Sequence, residues 1–197
     1  MSKGLGCLIA VVVLALILGV WGVGQYNSLV KSREAVNTAW SQVENVYQRR
    51  MDLIPNLVAT VKGVAGFEQK TYTDIAEARA KAGQINLSAD VLNDPEAFKR
   101  LEAAQGELSG ALSRLMAVSE NYPQLKANQN FLDLQSQLEG TENRIAVERR
   151  NFNQVAQSYN TQLKSFPTVL FAGIMGFKER PYFTATAGAE KPPQVQF

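Results

Sequence analysis

The feature that most constrains this chain is an uncharged, strongly apolar run from Gly4 to Gly24, GLGCLIAVVVLALILGVWGVG. About 20 consecutive apolar residues are enough for one helix to cross the hydrocarbon core of a bilayer. The rest of the chain contains no second run of that kind. The sequence therefore predicts one membrane-spanning anchor at residues 4–24. Trp21 and Tyr26 lie at one end of the run, where aromatic rings favour the membrane–water interface.

A cleaved signal peptide is the alternative interpretation of the same run. Its apolar stretch is longer than a typical signal core, and Trp21 stands where a small cleavage-site residue is expected. The length and this tryptophan favour an uncleaved anchor. Orientation is less constrained, because Lys3 on one side is balanced by Lys31 and Arg33 on the other. The charge just before the run favours an N-terminus inside the cell and a domain outside it.

The composition of the remaining domain excludes several classes of function. One of the 20 Lys and Arg residues precedes the run, which leaves 19 against 18 Asp and Glu residues, so no basic surface for nucleic acid is expected. Histidine is absent and Cys7 is the single cysteine. These counts exclude an intramolecular disulfide, a histidine general base and a histidine or thiolate metal site. We therefore expect no cofactor and no enzymatic activity.

Three stretches after residue 35 repeat apolar residues with alternating spacings of three and four, which is typical of long helices packed side by side. A further stretch, residues 67–82, is rich in helix-forming residues. The pattern predicts an all-α fold in which residues 25–166 form an elongated antiparallel bundle of four helical segments with coiled-coil-like packing. The three stripes are Val36, Trp40, Val43, Tyr47, Arg50, Ile54, Leu57, Val61 and Val64; Phe98, Leu101, Gln105, Leu108, Leu112 and Leu115; and Phe131, Leu134, Leu138, Thr141, Ile145, Glu148, Phe152, Val155, Tyr159, Gln162 and Phe166.

The ends of several helices can also be predicted. Asp94 followed by Pro95 is a favourable start, which makes residues 83–93 a loop. Pro123 indicates that the preceding helix has ended. The break in the first long segment stays open between two positions. Asp52 could cap a new helix with Pro55 in its first turn, or the chain could turn at Gly63 and Gly66.

Arg50 and Glu148 are the two charged residues that fall on inward positions of the stripes. A buried charge needs a partner or a route to solvent. We hypothesise an Arg50–Glu148 ion pair that sets the register of the antiparallel helices. The alternative is that both side chains reach the surface along their apolar stems.

The stretch TVLFAGIMGF after Pro167 is apolar but too short to span a bilayer. Residues 167–187 are predicted to form a membrane-proximal segment and extension, and residues 188–197 a disordered tail. The segment either lies in the membrane interface beside the anchor or packs beneath the end of the bundle. The candidate contacts with lipid are Leu170, Phe171, Ile174, Met175 and Phe177.

Several strings in the chain closely resemble the LemA family of bacterial membrane-anchored proteins. They include YNSLV, AWSQVE, YQRRMDLIPNLV with Asp52, Pro55 and Asn56, YPQLKAN and LEGTENRI. The resemblance implies a single-pass protein of the bacterial cytoplasmic membrane with a helical bundle and no assigned catalytic activity. It also implies an association with membrane zinc peptidases and with envelope maintenance. One departure is Phe67, where members of the family usually carry histidine.

Two classes of function follow. The first is a structural scaffold that self-associates on the membrane as a homo-oligomer. The second is an accessory module that binds a membrane protease or another integral membrane protein. A stripe that stays in phase with little net charge favours helix association and hence the scaffold.

Overall fold

The computed structural model describes residues 3–64 and 66–184, and within these ranges the chain forms helices and no strand. The helices are α1 (Lys3–Lys62), α2 (Gln69–Gly83), α3 (Pro95–Ser119), α4 (Pro123–Lys126) and α5 (Gln129–Lys164), with two short 3₁₀ helices at Ala89–Asn93 and Thr168–Leu170. The predicted all-α fold is confirmed. The predicted tail at 188–197 lies outside the described residues.

Helix α1 is unbroken for 60 residues, so the spanning run and the first helix of the bundle are one element. At a rise of 1.5 Å per residue it is about 90 Å long. The chain turns after Lys62, and Gly66 adopts a φ of 80°, a left-handed conformation that glycine accepts without a steric penalty. The break therefore lies at Gly63–Gly66.

Pro55 lies inside α1 without ending the helix. Its ring nitrogen cannot donate to the carbonyl of Met51, one turn earlier, which leaves that oxygen free. Arg79 of α2 donates its Nε to the Met51 carbonyl at 3.1 Å. A side chain of the neighbouring helix thus replaces the backbone hydrogen bond that proline removes.

The long helices pack as an antiparallel bundle. Tyr47 of α1 meets Arg149 of α5, whereas Ser32, further back along α1, meets Gln162, further on along α5. Helices α2 and α3 form the second pair, joined on their surface by the Lys81–Glu107 ion pair at 3.1 Å. The four predicted segments correspond to the bundle part of α1 and to α2, α3 and α5, and the four-residue helix α4 is an addition.

The three apolar stripes lie almost wholly inside the bundle. Every stripe position of α3 is buried, and so is every stripe position of α1 up to Val61. Phe166 is the exception, with 80% of its surface exposed, because α5 ends at Lys164 and the helical period no longer applies to it.

The predicted helix ends are mostly confirmed. Asp94 accepts hydrogen bonds from the backbone amides of Glu96 and Ala97, as an N-cap does. Pro123 begins the short helix α4 after α3 has ended at Ser119. The prediction of a loop at 83–93 is partly wrong, because its last five residues form the 3₁₀ helix Ala89–Asn93.

The interior divides into two cores along α1. The anchor-side core is aromatic and contains Trp40, Phe98, Phe152 and Phe183 among others. The far core is mainly aliphatic and is built around Ile54, Leu57, Leu108, Leu112, Leu115 and Leu138. Arg50 lies on α1 between the last anchor-side residue, Tyr47, and the first far-core residues.

Candidate membrane-contact site

Helix α1 is the one helix in the described ranges that is long and apolar enough to cross a membrane, and none of its most apolar window is buried by the rest of the chain. Beyond α5 the chain returns to this helix and forms a compact hook, residues 166–177. The ring of Phe171 meets Trp21 edge-on at 5.6 Å between centroids, and Phe177 meets Tyr26 at 5.6 Å. The hook therefore lies beside the end of the apolar run.

The outer side of the hook is apolar and open. Leu170 and Ile174 expose 67% and 89% of their surfaces, and Met175 is also exposed. Trp21 and Tyr26 on α1 are exposed beside them. Contiguous exposed apolar side chains on a folded chain indicate a contact surface.

The inner side of the hook packs against the protein, which corrects one predicted lipid contact. Phe177 is 5% exposed and lies under the guanidinium of Arg33, at 5.3 Å from its carbon to the ring centroid. Ala172 is buried with it, and Phe171 is half-buried. The hook thus packs beneath the end of the bundle on one side, while its other side stays exposed.

Residues 178–184 continue from the hook as an extended strap held by two asparagines of α5. The side-chain amide of Asn160 accepts from the backbone N–H of Arg180 at 2.9 Å and donates to its carbonyl at 2.8 Å. Asn153 makes the same pair of bonds with Phe183, both at 2.9 Å. An amide side chain offers one donor group and one acceptor, so it can satisfy an extended backbone as a neighbouring strand would.

The strap ends in the anchor-side core. The Phe183 ring lies 4.9 Å from that of Phe98, 5.5 Å from that of Phe152 and 6.1 Å from that of Trp40. The indole N–H of Trp40 donates to the Leu87 carbonyl at 2.7 Å. A residue near the end of the described chain therefore completes a core built from α1, α3 and α5.

Arg180 of the strap is a buried cation, 7% exposed. Its Nη1 donates to the side-chain oxygen of Asn93 at 2.5 Å, and its Nε has no hydrogen-bond partner among the described residues. Burial lowers the pKa of this guanidinium below its ordinary value. Burial also raises the pKa of Tyr159, whose hydroxyl donates to the Lys178 carbonyl at 3.0 Å.

Arg50 lies between the two cores and is 1% exposed. Its Nη1 contacts Glu142 of α5 at 2.5 Å and Ser109 of α3 at 2.7 Å, and its Nη2 donates to the Gln105 side chain. The hypothesised partner, Glu148, is wrong. Glu148 lies six residues, or about 9 Å, further along α5 than Glu142, next to Arg149, which meets Tyr47 of α1.

The remaining predicted residues lie on the surface of α1 or α5. Asp52 is exposed and accepts from Gln48 at 2.9 Å, so it does not cap a helix. Pro55 and Asn56 are exposed within α1. Glu148 is half-buried and its nearest hydrogen-bond partner is the amide of Asn151 at 3.5 Å.

Sequence reasoning missed four polar residues that organise the structure, namely Arg79, Glu142, Asn160 and Arg180. One signal was available, because Asn153 and Asn160 are seven residues apart on a predicted helix and so lie on one face. Neither the partner of the carbonyl freed by Pro55 nor the carboxylate nearest Arg50 can be deduced without the helix register.

The described ranges contain no group of three or more His, Cys, Asp or Glu side chains placed to hold a metal ion. The polar residues that do meet inside the protein join helices to one another or to the strap. Their geometry supports structural roles.

The chain is similar to several characterised sequences. Magnetosome protein MamQ of Magnetospirillum gryphiswaldense is 30% identical over 190 residues, which are 87% of this chain and 70% of that protein. Magnetosome protein MamQ 2 of Paramagnetospirillum magneticum is 29% identical over 184 residues, 85% of this chain and 68% of that protein. Protein LemA of Metamycoplasma hominis is 25% identical over 146 residues, 74% of this chain and 63% of that protein. The family model of the LemA family matches residues 39–197, which include most of the bundle and the strap, and the chain belongs to that family.

Proposed function

We propose that this protein is a non-enzymatic, membrane-anchored helical scaffold of the bacterial envelope. The observation that carries the proposal is the continuity of α1 from the apolar run into both cores of the bundle. A helix without a hinge fixes the bundle to its anchor, so the bundle projects from the membrane at a defined angle. We place the anchor in the cytoplasmic membrane and the bundle on its outer side.

The hook gives the scaffold a second contact with the bilayer. Its exposed residues Leu170, Ile174 and Met175 lie on the piece of chain that touches Trp21 through Phe171. Because Trp21 belongs to the spanning run, a group that touches it lies at the level of the membrane surface. Burial of these side chains among lipid headgroups stabilises the upright bundle.

Self-association is the second part of the proposal. Small residues on the spanning helix let two such helices approach closely, and Ala15 with Gly19 has the required four-residue spacing. A Cβ atom built on Gly19 meets no atom within 4 Å, so this position is open to a partner helix. A second copy packed there would form a homo-oligomer within the membrane.

The mass of the purified full-length protein tests the scaffold. Light scattering in lipid nanodiscs or mild detergent is expected to give a homo-oligomer. Gly19→Leu should reduce that mass, whereas Gly24→Leu, the same change outside the small-residue pair, should not. A protein that is monomeric under all these conditions would refute self-association.

Orientation is tested separately. In a Cys7→Ser background, Gln157→Cys places one thiol on the exposed surface of α5. An impermeant maleimide should label it in intact cells. Protection of this thiol until the cells are lysed would place the bundle in the cytoplasm instead.

A second candidate function is that of an accessory module for an integral membrane partner such as a membrane zinc peptidase. It is favoured by an open groove of about 450 Å³ between α3 and α5, whose lining includes Leu112, Met116 and Leu138 with the carboxylates of Glu139 and Glu142. In that case the protein alone is a monomer or dimer, and a defined second protein co-purifies. Substitution of Met116 should then abolish the co-purification.

A further inference from the structure

A polar cavity lies where the hook, the strap and α1 meet. Its volume is about 280 Å³, and it extends from Phe177 of the hook to Arg180 of the strap. Arg33 and Asn37 of α1 and Lys178 of the strap also line it. None of these side chains is needed to explain the anchor or self-association.

The cavity contains a buried positive charge that forms no ion pair within the described residues. The Arg180 guanidinium is 7% exposed, and its hydrogen bond goes to the neutral side chain of Asn93. A buried charge is strongly destabilising unless it is paired, and arginine has donors arranged for the oxygens of an anion. Its Nε still lacks an acceptor among the described residues. An anion that accepts hydrogen bonds would satisfy this group.

The other lining groups indicate what kind of anion fits. Arg33 and Lys178 add two positive charges, while Glu34 and Asp90 add two negative ones. Glu34 lies 3.7 Å from Arg33 and also favours the charged form of Arg180, and the three cations and two carboxylates of the lining leave a net charge of +1. The side-chain oxygen of Asn37 is buried and has no donor. A ligand that carries both an anionic group and a hydroxyl would satisfy both unpartnered atoms.

The cavity also lies near the expected membrane surface. Phe177, one of its lining residues, contacts Tyr26, which follows the apolar run by two positions. Arg33 is about 14 Å further along α1 than Gly24, and its guanidinium turns onto the Phe177 ring. The polar headgroup layer is about 5–8 Å thick on each side of the bilayer, so a headgroup can reach the hook side of the cavity.

We propose that this cavity is a binding site for a phosphate ester, with Arg180, Arg33 and Lys178 contacting the phosphate oxygens and Asn37 accepting from a hydroxyl of the ligand. A phospholipid with a phosphoglycerol headgroup and a free glycerol phosphate share this chemistry. The site goes beyond the scaffold role. Only the assignment of a lipid as the source of the ligand rests on the proposed placement of the protein in the membrane.

Binding is tested on the full-length protein in an uncharged detergent. The probes are sn-glycerol 3-phosphate, phosphatidylglycerol and, as the comparison with a zwitterionic headgroup that has no net charge and no hydroxyl, phosphatidylcholine, at constant ionic strength. Each is titrated calorimetrically and by the rise of the thermal unfolding midpoint. Tight binding of phosphatidylglycerol with weak glycerol phosphate binding identifies a lipid as the source, and equal binding of the two identifies a soluble ester. Failure of both to bind better than phosphatidylcholine would overturn the proposal.

Two substitutions distinguish specific binding in this cavity from nonspecific attraction of an anion to positive charge on the protein. Arg33→Gln, on the half-buried wall of the cavity, should weaken binding by about tenfold or more, as expected for loss of one charged hydrogen bond. Lys31→Gln removes the same charge from an exposed position of α1 outside the cavity lining and should leave binding unchanged. Equal losses in the two variants would overturn the site. Because neither readout depends on oligomeric mass, the site and the scaffold can fail independently.

Discussion

The two cores of the bundle are built in different ways. In the anchor-side core, Phe183 of the strap fills the space between aromatic rings of α1, α3 and α5. In the far core, mainly aliphatic side chains of consecutive helices pack along their stripes, and Ile75 of α2 and Leu108 of α3 belong to the same buried cluster. The anchor-side core thus depends on contacts between residues more than 140 positions apart, such as Trp40 and Phe183.

Because of this difference, the two ends of the bundle form from different parts of the chain. The far core joins consecutive helices from α1 to the first part of α5, and Leu138 is its last residue in the described chain, so it requires less long-range loop closure than the anchor-side core. The anchor-side end can form only when the last part of the described chain has returned to α1. The hook, the strap and the polar cavity all lie at that end, so the parts of the molecule nearest the anchor are also those that need the whole chain.

The largest expected effect comes from removing the centre of the anchor-side core. Trp40→Ala deletes a fully buried ring that contacts three other aromatic rings, and should lower the free energy of unfolding by about 3–5 kcal/mol. Hydrogen exchange should rise in the strap and hook more than in α2. Trp21→Ala, the same change outside both cores, should leave the bundle's unfolding unchanged in a urea titration followed by circular dichroism. If protection from hydrogen exchange fell equally at the anchor-side end and the far end, the two cores would unfold as one cooperative unit.

The second prediction concerns the boundary between the cores. Glu142→Gln removes the carboxylate nearest to buried Arg50 and should cost about 3 kcal/mol, the lower end for a broken buried pair because Glu142 is 39% exposed. Glu148→Gln is the matched control and should change stability by less than about 0.5 kcal/mol. Thermal unfolding of both variants measures the difference. The opposite ranking would restore Glu148 as the partner of Arg50.

A smaller and local effect is expected at the strap. Asn160→Ala removes both hydrogen bonds to the Arg180 backbone, and each is worth about 1 kcal/mol. Amide exchange should accelerate at residues 178–184 and stay constant in the far core. Asn151→Ala, an exposed position of the same helix, should leave the strap protected. If the strap remains protected in Asn160→Ala, its other contacts, among them the bonds to Asn153 and the packing of the Phe183 ring, are sufficient to hold it.

The smallest expected effect tests the turn beyond the far core. Gly66→Ala forces a β-carbon into a left-handed conformation and should lower stability by about 1–2 kcal/mol, although the added atom meets nothing within 4 Å. Gly140→Ala in α5, which is equally open, should raise stability by about 0.5–1 kcal/mol because alanine favours a helix. The two thermal midpoints should therefore move in opposite directions. A shift of the same sign would mean that Gly66 is not held in this turn.

Much of the fold could be predicted because helical periodicity depends on residues that are close in sequence. The stripe from Val36 to Val61 stays in phase across Pro55, and α1 does continue through that position. Periodicity alone left the break open between Pro55 and Gly63–Gly66, because it does not show that Arg79 compensates for the hydrogen bond lost at Pro55.

Less of the candidate site could be predicted because it depends on register and on an extended segment. Arg50 was correctly placed inside the bundle, but its partner required the offset between α1 and α5, which moved the contact from Glu148 to Glu142. The strap has no periodic sequence pattern, because the hydrogen bonds of its backbone go to asparagine side chains and not to a neighbouring strand. The apolar hook was recognised from composition, whereas the inward direction of Phe177 was not.

The unbroken course of α1 has a mechanical consequence. The part of the helix beyond Gly24 is about 57 Å long at 1.5 Å per residue. Spanning helices adjust their tilt to the thickness of the surrounding bilayer. A change of about 10° in tilt, carried along a stiff helix, sweeps its far end sideways by about 10 Å. If the anchor changes its tilt in this way, the molecule acts as a lever, because a small movement of the part in the membrane produces a large displacement at the far end of the bundle.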